Sequence, residues 1–542
     1  MTAAAQEAGE LSRASCEPTD LPAHRPVWLA LIAFAALASA APLWSSELLP
    51  FQDAPQHVAA VRVLADWSSP TFAFPRWFSL DLTHSQYLGF YLPAALLAKA
   101  IGPQAACRAL LTLIAFALPA SAWLLLGTFG RDRRLAIFAP TLFHSSLLYI
   151  GLFNFVASIP VTVAAVALVE RELRAPARAR VLLLAASALA LLYLHPSGLL
   201  IAAGAACFLA ATSGEPLRRK ARALLPLAPA LLLLGLWAVR AQPPQLPGAA
   251  AQSVLPHWQP FLEHVLDVGR LGNVLVGRAD EIFVAAVALA FLAIALVPGR
   301  AAATDRRWRL PLLAACTFVV YLAAPVGAAH VWLIHLRLLP FLAFVALAAP
   351  TPAPHRFTPA LLASVAVLQA GYAFVLADAY RRFDAEAAVE PLRQVLGKAQ
   401  PGRRLMARIY DQDSNVINFS PYMHFGLYYQ VERGGRARFN FAELSWMPIR
   451  LRPDAPAAAL PPNYEWSPDL VTWDRAAADS DYLLVRDGAW IPEHRFRLHA
   501  QAGPWSMYVP RETRRVRAGT KRVHRRTSSD PPLKPVLGGR PG

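Results

Sequence analysis

Apolar and polar positions divide the chain in two. As far as residue 378, long apolar runs alternate with short polar segments that mostly carry arginine; beyond it the runs shrink to the lengths of ordinary strands and helices. A helix needs roughly 20 residues to cross about 30 Å of hydrocarbon. The runs at 105–129 and 358–378 have that length. Read by hydropathy, the runs 27–44, 105–129, 135–151, 155–169, 181–194, its continuation to 212, 224–239, 282–297, 310–324, 331–349 and 358–378 predict about eleven spans. The break between 181–194 and its continuation falls at His195-Pro196-Ser197-Gly198, because proline removes a backbone donor and glycine loosens the chain.

Residues 45–104, between the first two runs, form one large loop centred on Phe51-Gln52-Asp53-Ala54-Pro55-Gln56-His57. Within it, 87–100 is apolar but short and aromatic at one end, which predicts an interfacial helix. Counting it as a span would reverse the side of every later arginine-rich segment. Residues 379–510 read as a small α/β domain: helices at 385–399 and 421–432, strands at 404–409, 436–441 and 482–486, and a closing hairpin of 496–501 with 505–509. A short segment (1–26) precedes the membrane domain (27–378), and a basic Pro/Gly-containing tail (511–542) follows the α/β domain.

Composition agrees with a polytopic α-helical membrane protein. The chain has 542 residues, 56% apolar and only 16% charged. Its net charge of +17 suggests nucleic-acid binding until positions are considered. Arg131, Arg133 and Arg134, then Arg171, Arg174, Arg178 and Arg180, then Arg218, Arg219, Lys220 and Arg222, then Arg300, Arg306, Arg307 and Arg309 occupy alternate connections. That is the positive-inside pattern, and it places the loop 45–104 and the C-terminal domain outside. No nucleic-acid partner is expected. Cys107, Cys207 and Cys316 fall in apolar runs and Cys16 in the polar start, which excludes a disulfide framework from the C-terminal domain.

Candidate chemistry clusters in the first loop. Asp53 and His57 are one helical turn apart and share a face. Asp53-x-x-Gln56 with Pro55 is also a capping box, which would commit the carboxylate to backbone donors. Its functional alternative is a general base or metal ligand beside the membrane. Asp81 and His84 read as turn markers. His195 reads as a helix-end histidine, or as the lining of a polar cavity where the helix breaks. Arg337 lies seven residues into the run 331–349, with His330 and His335 near it, and an arginine at that depth calls for a cavity, a partner or snorkelling. Asp411-Gln412-Asp413 reads as a polar loop after a strand. No phosphate-loop glycines, zinc spacing or nucleophile-elbow serine occurs.

Asp53-x-Pro55-x-His57, Gly151-x-x-Asn154-Phe155, His195, and Tyr87-Leu88-Gly89-Phe90-Tyr91-Leu92-Pro93 with Leu97, Gly102 and Arg108 together resemble the GT-C class of membrane glycosyltransferases. The likeness is to bacterial members joined to that class by architecture. It implies a polyprenyl-phosphate sugar donor with its phosphate near Arg337, substrate contacts from His330, His195, Tyr87 and Tyr91, and Asp53 with His57 as the catalytic pair. It further implies a divalent cation (Mg or Mn) held by Asp53, an envelope glycan or lipid acceptor, membrane lipid as surroundings, and the bacterial inner membrane with an extracytoplasmic C-terminal domain. The chain departs from the pattern at Gln52, where many GT-C enzymes have a second acid. The competing class is non-catalytic: an anchor presenting an envelope-binding domain, or a transporter, which would have matching broken helices in two halves.

Overall fold

The computed structural model describes residues 25–511 apart from 84, 241–254, 297–307, 329–330, 349, 351–357, 445, 453–460, 462–463 and 488–489. Among the described residues five helical stretches are long and apolar enough to cross a membrane: Arg25–Trp44, Pro103–Thr128, Phe153–Arg174, Leu217–Arg240 and Thr358–Gly397. The protein is therefore a helical membrane protein with a C-terminal sheet region, and the expectation of eleven spans is corrected to five candidate spanning helices among the described residues.

The difference has local causes. The run 135–151 becomes a 3-10 stretch, Arg133–Leu142, that contains Pro140, followed by the five-residue helix Ser146–Ile150. Without the Pro140 donor and with a break at Ser145, no continuous helix can form. The run 331–349 opens as a strand, β3 (Val331–Trp332), paired antiparallel with β2 (Gly327–Ala328). Its helix Leu338–Leu347 has only ten residues. That gives about 15 Å of rise, half of what a span requires. Apolar composition alone does not reveal that such runs are divided into elements too short to count as single spanning helices.

In chain order the helices used below are α1 (Arg25–Ala40), α2 (Ala54–Ala65), α3 (Leu88–Ile101), α4 (Pro103–Thr128), α5 (Phe153–Arg174), α6 (Arg178–Leu194), α7 (Pro196–Ala211), α8 (Leu217–Leu224), α9 (Phe261–Arg270), α10 (Ala279–Ala295), α11 (Arg309–Ala323), α12 (Leu338–Leu347) and α13 (Thr358–Ala387). Helix α5 is the axis of the bundle and packs on α4, α6 and α7. Most of its residues are buried, from Phe153 to Leu173. Helices at the periphery expose Leu182, Val367 and Phe374, as surfaces that meet lipid do.

Helix α13 runs for 30 residues. Its length of about 45 Å exceeds the thickness of the hydrocarbon layer. The chain turns at Ala388 (φ 49°) and continues as α14 (Val389–Gly397), so the last span enters the C-terminal region without a linker. There, β4 (Arg404–Ile409), β5 (Arg436–Ala437), β7 (Tyr482–Arg486), β8 (Phe496–Ala502) and β9 (Trp505–Pro510) form one sheet in the order β5-β4-β7-β9-β8. The β4–β7 pair is parallel and β8–β9 is the expected hairpin. The predicted helix 421–432 is shorter, Leu427–Arg433.

The first loop is joined to this region. Strand β1 (Phe78–Leu80) pairs antiparallel with β6 (Ile449–Leu451), and Gly435 N–H donates to the Phe72 carbonyl at 2.8 Å. Asp81, expected to mark a turn, forms an ion pair with Arg450 at 2.7 Å. Buried side chains run without interruption from Ile32 to Met507, so loop and domain share one core.

Candidate functional site

Two polar clusters flank the N-terminal end of α5. Gln52 and Asp53 donate their backbone N–H groups to the carbonyls of Tyr149 and Ile150, at 2.9 and 3.1 Å. The next residue, Gly151, has φ +106° and comes so close that an added Cβ would lie 2.5 Å from the Asp53 Cβ. Glycine is required there for both reasons.

Asp53 does occupy the N-cap position of α2, but its carboxylate makes no cap hydrogen bond. It lies 3.2 Å from His424 Nε2 in the C-terminal region. Gln56, the other half of the expected capping box, also reaches that region: its amide donates to the Phe439 carbonyl and accepts from Phe441 N–H, both at 3.0 Å. Phe439 in turn stacks on the His424 ring, centroids 5.0 Å apart and planes 7° apart. Thus α2 holds both Asp53 and the segment that fixes the orientation of His424.

His57 is buried with both ring nitrogens engaged. Nε2–H donates to the Gly151 carbonyl at 2.6 Å, which makes Nδ1 the acceptor for Tyr91 O–H at 2.7 Å. Burial pushes its pKa down from 6.5 to about 4, against the opposing pull of Asp53 and the Gly151 hydrogen bond. The ring is neutral and has no free nitrogen to take a substrate proton, so its work is to hold the Gly151 turn against α3.

The second cluster surrounds Arg337. The residue lies not within a span but in a 3-10 turn, His335–Arg337, at the start of α12. It is 7% exposed. Nη1 is 3.2 Å from Ser197 Oγ and 3.3 Å from His195 Nε2, and Nη2 donates to the Trp332 carbonyl at 3.0 Å. Nε is buried without a partner, and the Phe155 ring lies under the guanidinium at 5.8 Å.

His195 caps α7, as a helix-end histidine should: its Nδ1 accepts from Ser197 N–H at 3.1 Å. Nε2 must then carry the proton, and Tyr87 Oη at 3.4 Å is its acceptor. Arg337 Nη1 therefore faces an N–H donor. Arg337 Nε and Nη1, His195 Nε2–H and the hydroxyls of Ser197 and Tyr87 make a cluster with more donors than acceptors.

Six arginines are buried among the described residues: Arg309, Arg337, Arg408, Arg436, Arg438 and Arg486. Five have a carboxylate within 3.3 Å, from Glu170, Asp469, Asp479 (shared by Arg436 and Arg438) and Asp411. Arg337 has none among the described residues.

Helix α3 links the clusters, since Tyr87 at its N-cap touches His195 and Tyr91, one turn on, touches His57. His330, expected beside Arg337, lies outside the described residues, as do His84, 1–24 and 512–542. His335 instead bonds Asp267 at 3.0 Å. Asp411 and Asp413 are used within the C-terminal fold, on Arg486 and Ser420. At Asp53 one carboxylate meets one imidazole, and no group of three metal-ligating side chains forms among the described residues. That donor set does not fit Mg or Mn, which demand several oxygen ligands.

Sequence reasoning did not identify His424, which no motif marks and which only the fold brings to Asp53. Ser197 stood in the His195-Pro196-Ser197-Gly198 break and was legible as part of it. No family model matches this chain and no curated protein is significantly similar to it.

Proposed function

We propose that this protein is a membrane glycosyltransferase that moves a sugar from a polyprenyl-phosphate donor to an acceptor at the outer face of the bacterial inner membrane. The observation that carries this reading is Arg337, a buried guanidinium with hydrogen-bond donors around it and no carboxylate partner among the described residues. A buried unpaired charge is costly, and a phosphate would supply both the counter-charge and the missing acceptors. The surroundings are a helical membrane protein, so a phosphate carried by a lipid suits the site.

In this reading the acceptor hydroxyl gives its proton to Asp53, whose carboxylate is steadied by His424. The acceptor oxygen then bonds to the sugar carbon as the carbon–oxygen bond to the phosphate breaks. The bonding pair leaves with the lipid phosphate, and Arg337, Ser197 and Tyr87 stabilise the charge that grows there. His57 holds Gly151, and so Asp53, in place. No step is assigned to a metal. With the Arg131, Arg133 and Arg134 connection taken as cytoplasmic, the loop before Pro103 lies on the other face, which would put Asp53 and His424 on the outer side.

The test is binding of polyprenyl phosphate to the purified protein in detergent, comparing wild type, Arg337→Met and Asp53→Asn. Binding lost in Arg337→Met and kept in Asp53→Asn is expected. Folded wild type that binds no polyprenyl phosphate, or equal binding by Arg337→Met, would overturn the reading.

A further inference from the structure

A separate cavity of about 480 Å³ lies between the 3-10 stretch Arg133–Leu142, the end of α9, and helices α10, α12 and α13. Phe138 and Phe291 meet edge to face within its wall, 5.5 Å between centroids, and Val287, Ala343, Ala346 and Leu347 continue the apolar surface. Of the polar side chains that reach it, Thr141 donates to the Phe138 carbonyl, Tyr372 to Asp280, and His144 Nε2 bonds the Ser39 carbonyl while its Nδ1 has no partner; Ser145 also lines the wall. The lining is otherwise apolar, so what the cavity offers a ligand is mainly dispersion and desolvation. Its volume is roughly three times that of the apolar protein cavity that admits benzene, and it falls within the range of small-molecule sites.

Two features say what enters it. Val268 and Val284 line the cavity and are also exposed, so it opens on the side where α9 exposes Phe261 and Val265, seven and three residues before Val268 and on the same face of that helix. That is the lipid-facing surface. At this mouth the exposed Arg270 stands between the lining residues Gly269 and Leu271, and the exposed Arg278 precedes α10. Arg270 pairs with Asp267 at 3.0 Å through Nη1 and keeps the rest of its guanidinium exposed.

We propose that this cavity binds one acyl chain of an anionic glycerophospholipid, with the head group against Arg270 and Arg278. The site is distinct from Arg337. Ala346 is nine residues from Arg337, about two and a half helical turns, which puts the two on opposite faces of the segment.

The experiment uses the full-length protein in nanodiscs of phosphatidylcholine doped with a phosphatidylglycerol whose acyl chain carries a diazirine, with the labelled peptides read by mass spectrometry. Labelling of the α10 and α12 wall is expected. It should fall at least tenfold in Ala343→Trp, and also in Val287→Phe, which reaches the same space from another helix should Ala343→Trp fail to fold. Arg270→Gln/Arg278→Gln should remove the preference for phosphatidylglycerol over a phosphatidylcholine probe, and Arg337→Met should leave the labelling unchanged. Absent wall labelling, labelling indifferent to folded cavity-filling variants, or labelling displaced by polyprenyl phosphate but not by unlabelled phosphatidylglycerol would overturn the proposal.

Discussion

Helix α5 has an arginine buried against each of its ends, and the two are treated in opposite ways. At the C-terminal end Arg309 from α11 donates to Glu170 at 2.7 Å, to Thr212 Oγ1 at 3.0 Å and to the Leu209 carbonyl at 2.6 Å. Glu172, also fully buried, is paired with Arg222 from α8 at 2.5 Å. The N-terminal end lies roughly 25 Å away along the helix. There Arg337 has Phe155 beneath it and donors beside it. The same side chain is closed by a carboxylate at one end and left without one among the described residues at the other. Burial alone distinguishes nothing; the inventory of partners does.

The sharpest break of this contrast is Glu170→Ala, which strands Arg309 in the bundle. It should cost about 3–5 kcal/mol, read as a collapse of the thermal midpoint in detergent, and Glu170→Gln/Arg309→Gln should recover much of the loss. Near-normal stability of Glu170→Ala would mean that the closed end does not depend on its carboxylate.

Next in size is the acid response of His57 near the open end. Its pKa is lower folded (about 4) than unfolded (6.5), so between those values the unfolded chain binds the extra proton and stability rises with pH. At about 1.4 kcal/mol per pH unit, the interval is worth roughly 3 kcal/mol, fully present above pH 6.5 and lost as pH falls to 4. The thermal midpoint should drop across that window in wild type and drop less in His57→Phe. Equal slopes in the two proteins would contradict the buried neutral ring.

Gly151→Ala should cost about 1–3 kcal/mol through its positive φ, and it should also displace Asp53. A measurable companion is the His424 ring chemical shift followed by NMR, which should move when Asp53 leaves it. The smallest stability effect belongs to Arg337→Met, expected within about 1 kcal/mol of wild type or above it, because it removes a buried charge without stranding a charged partner, the Trp332 carbonyl and Ser197 hydroxyl being neutral. A loss as large as that of Glu170→Ala would show that Arg337 holds the fold together too.

The spans 27–44, 105–129 and 155–169 were legible because each coincides with one uninterrupted helix, while 135–151 and 331–349 were not, because Pro140 and the Val331–Trp332 strand divide runs whose composition is uniformly apolar. The strands 404–409 and 482–486 and the hairpin around Gly503 were legible from alternation and turn residues. At the site, Asp53, His57, His195, Tyr87, Tyr91 and Arg337 were named from local pattern, and the fold arranges them into two linked clusters. His424 was not, since pairing across most of the chain leaves no periodic trace. Arg337 was placed too deep, because a 3-10 turn and a helix look alike in hydropathy.

The pairing of β1 with β6 also bears on how the protein is made. Phe78 and its partner Leu451 stand far apart in the chain. A ribosome adding about 5–20 residues per second takes roughly 20–70 s to supply the about 370 residues between them. Throughout that interval the first loop has an unpaired strand edge, and for nearly all of it the partners of Asp53 and Gln56 do not yet exist. The site is therefore among the last parts of the molecule to come into being, and a nascent chain that stalls before the C-terminal sheet holds Asp53 without the histidine that completes it.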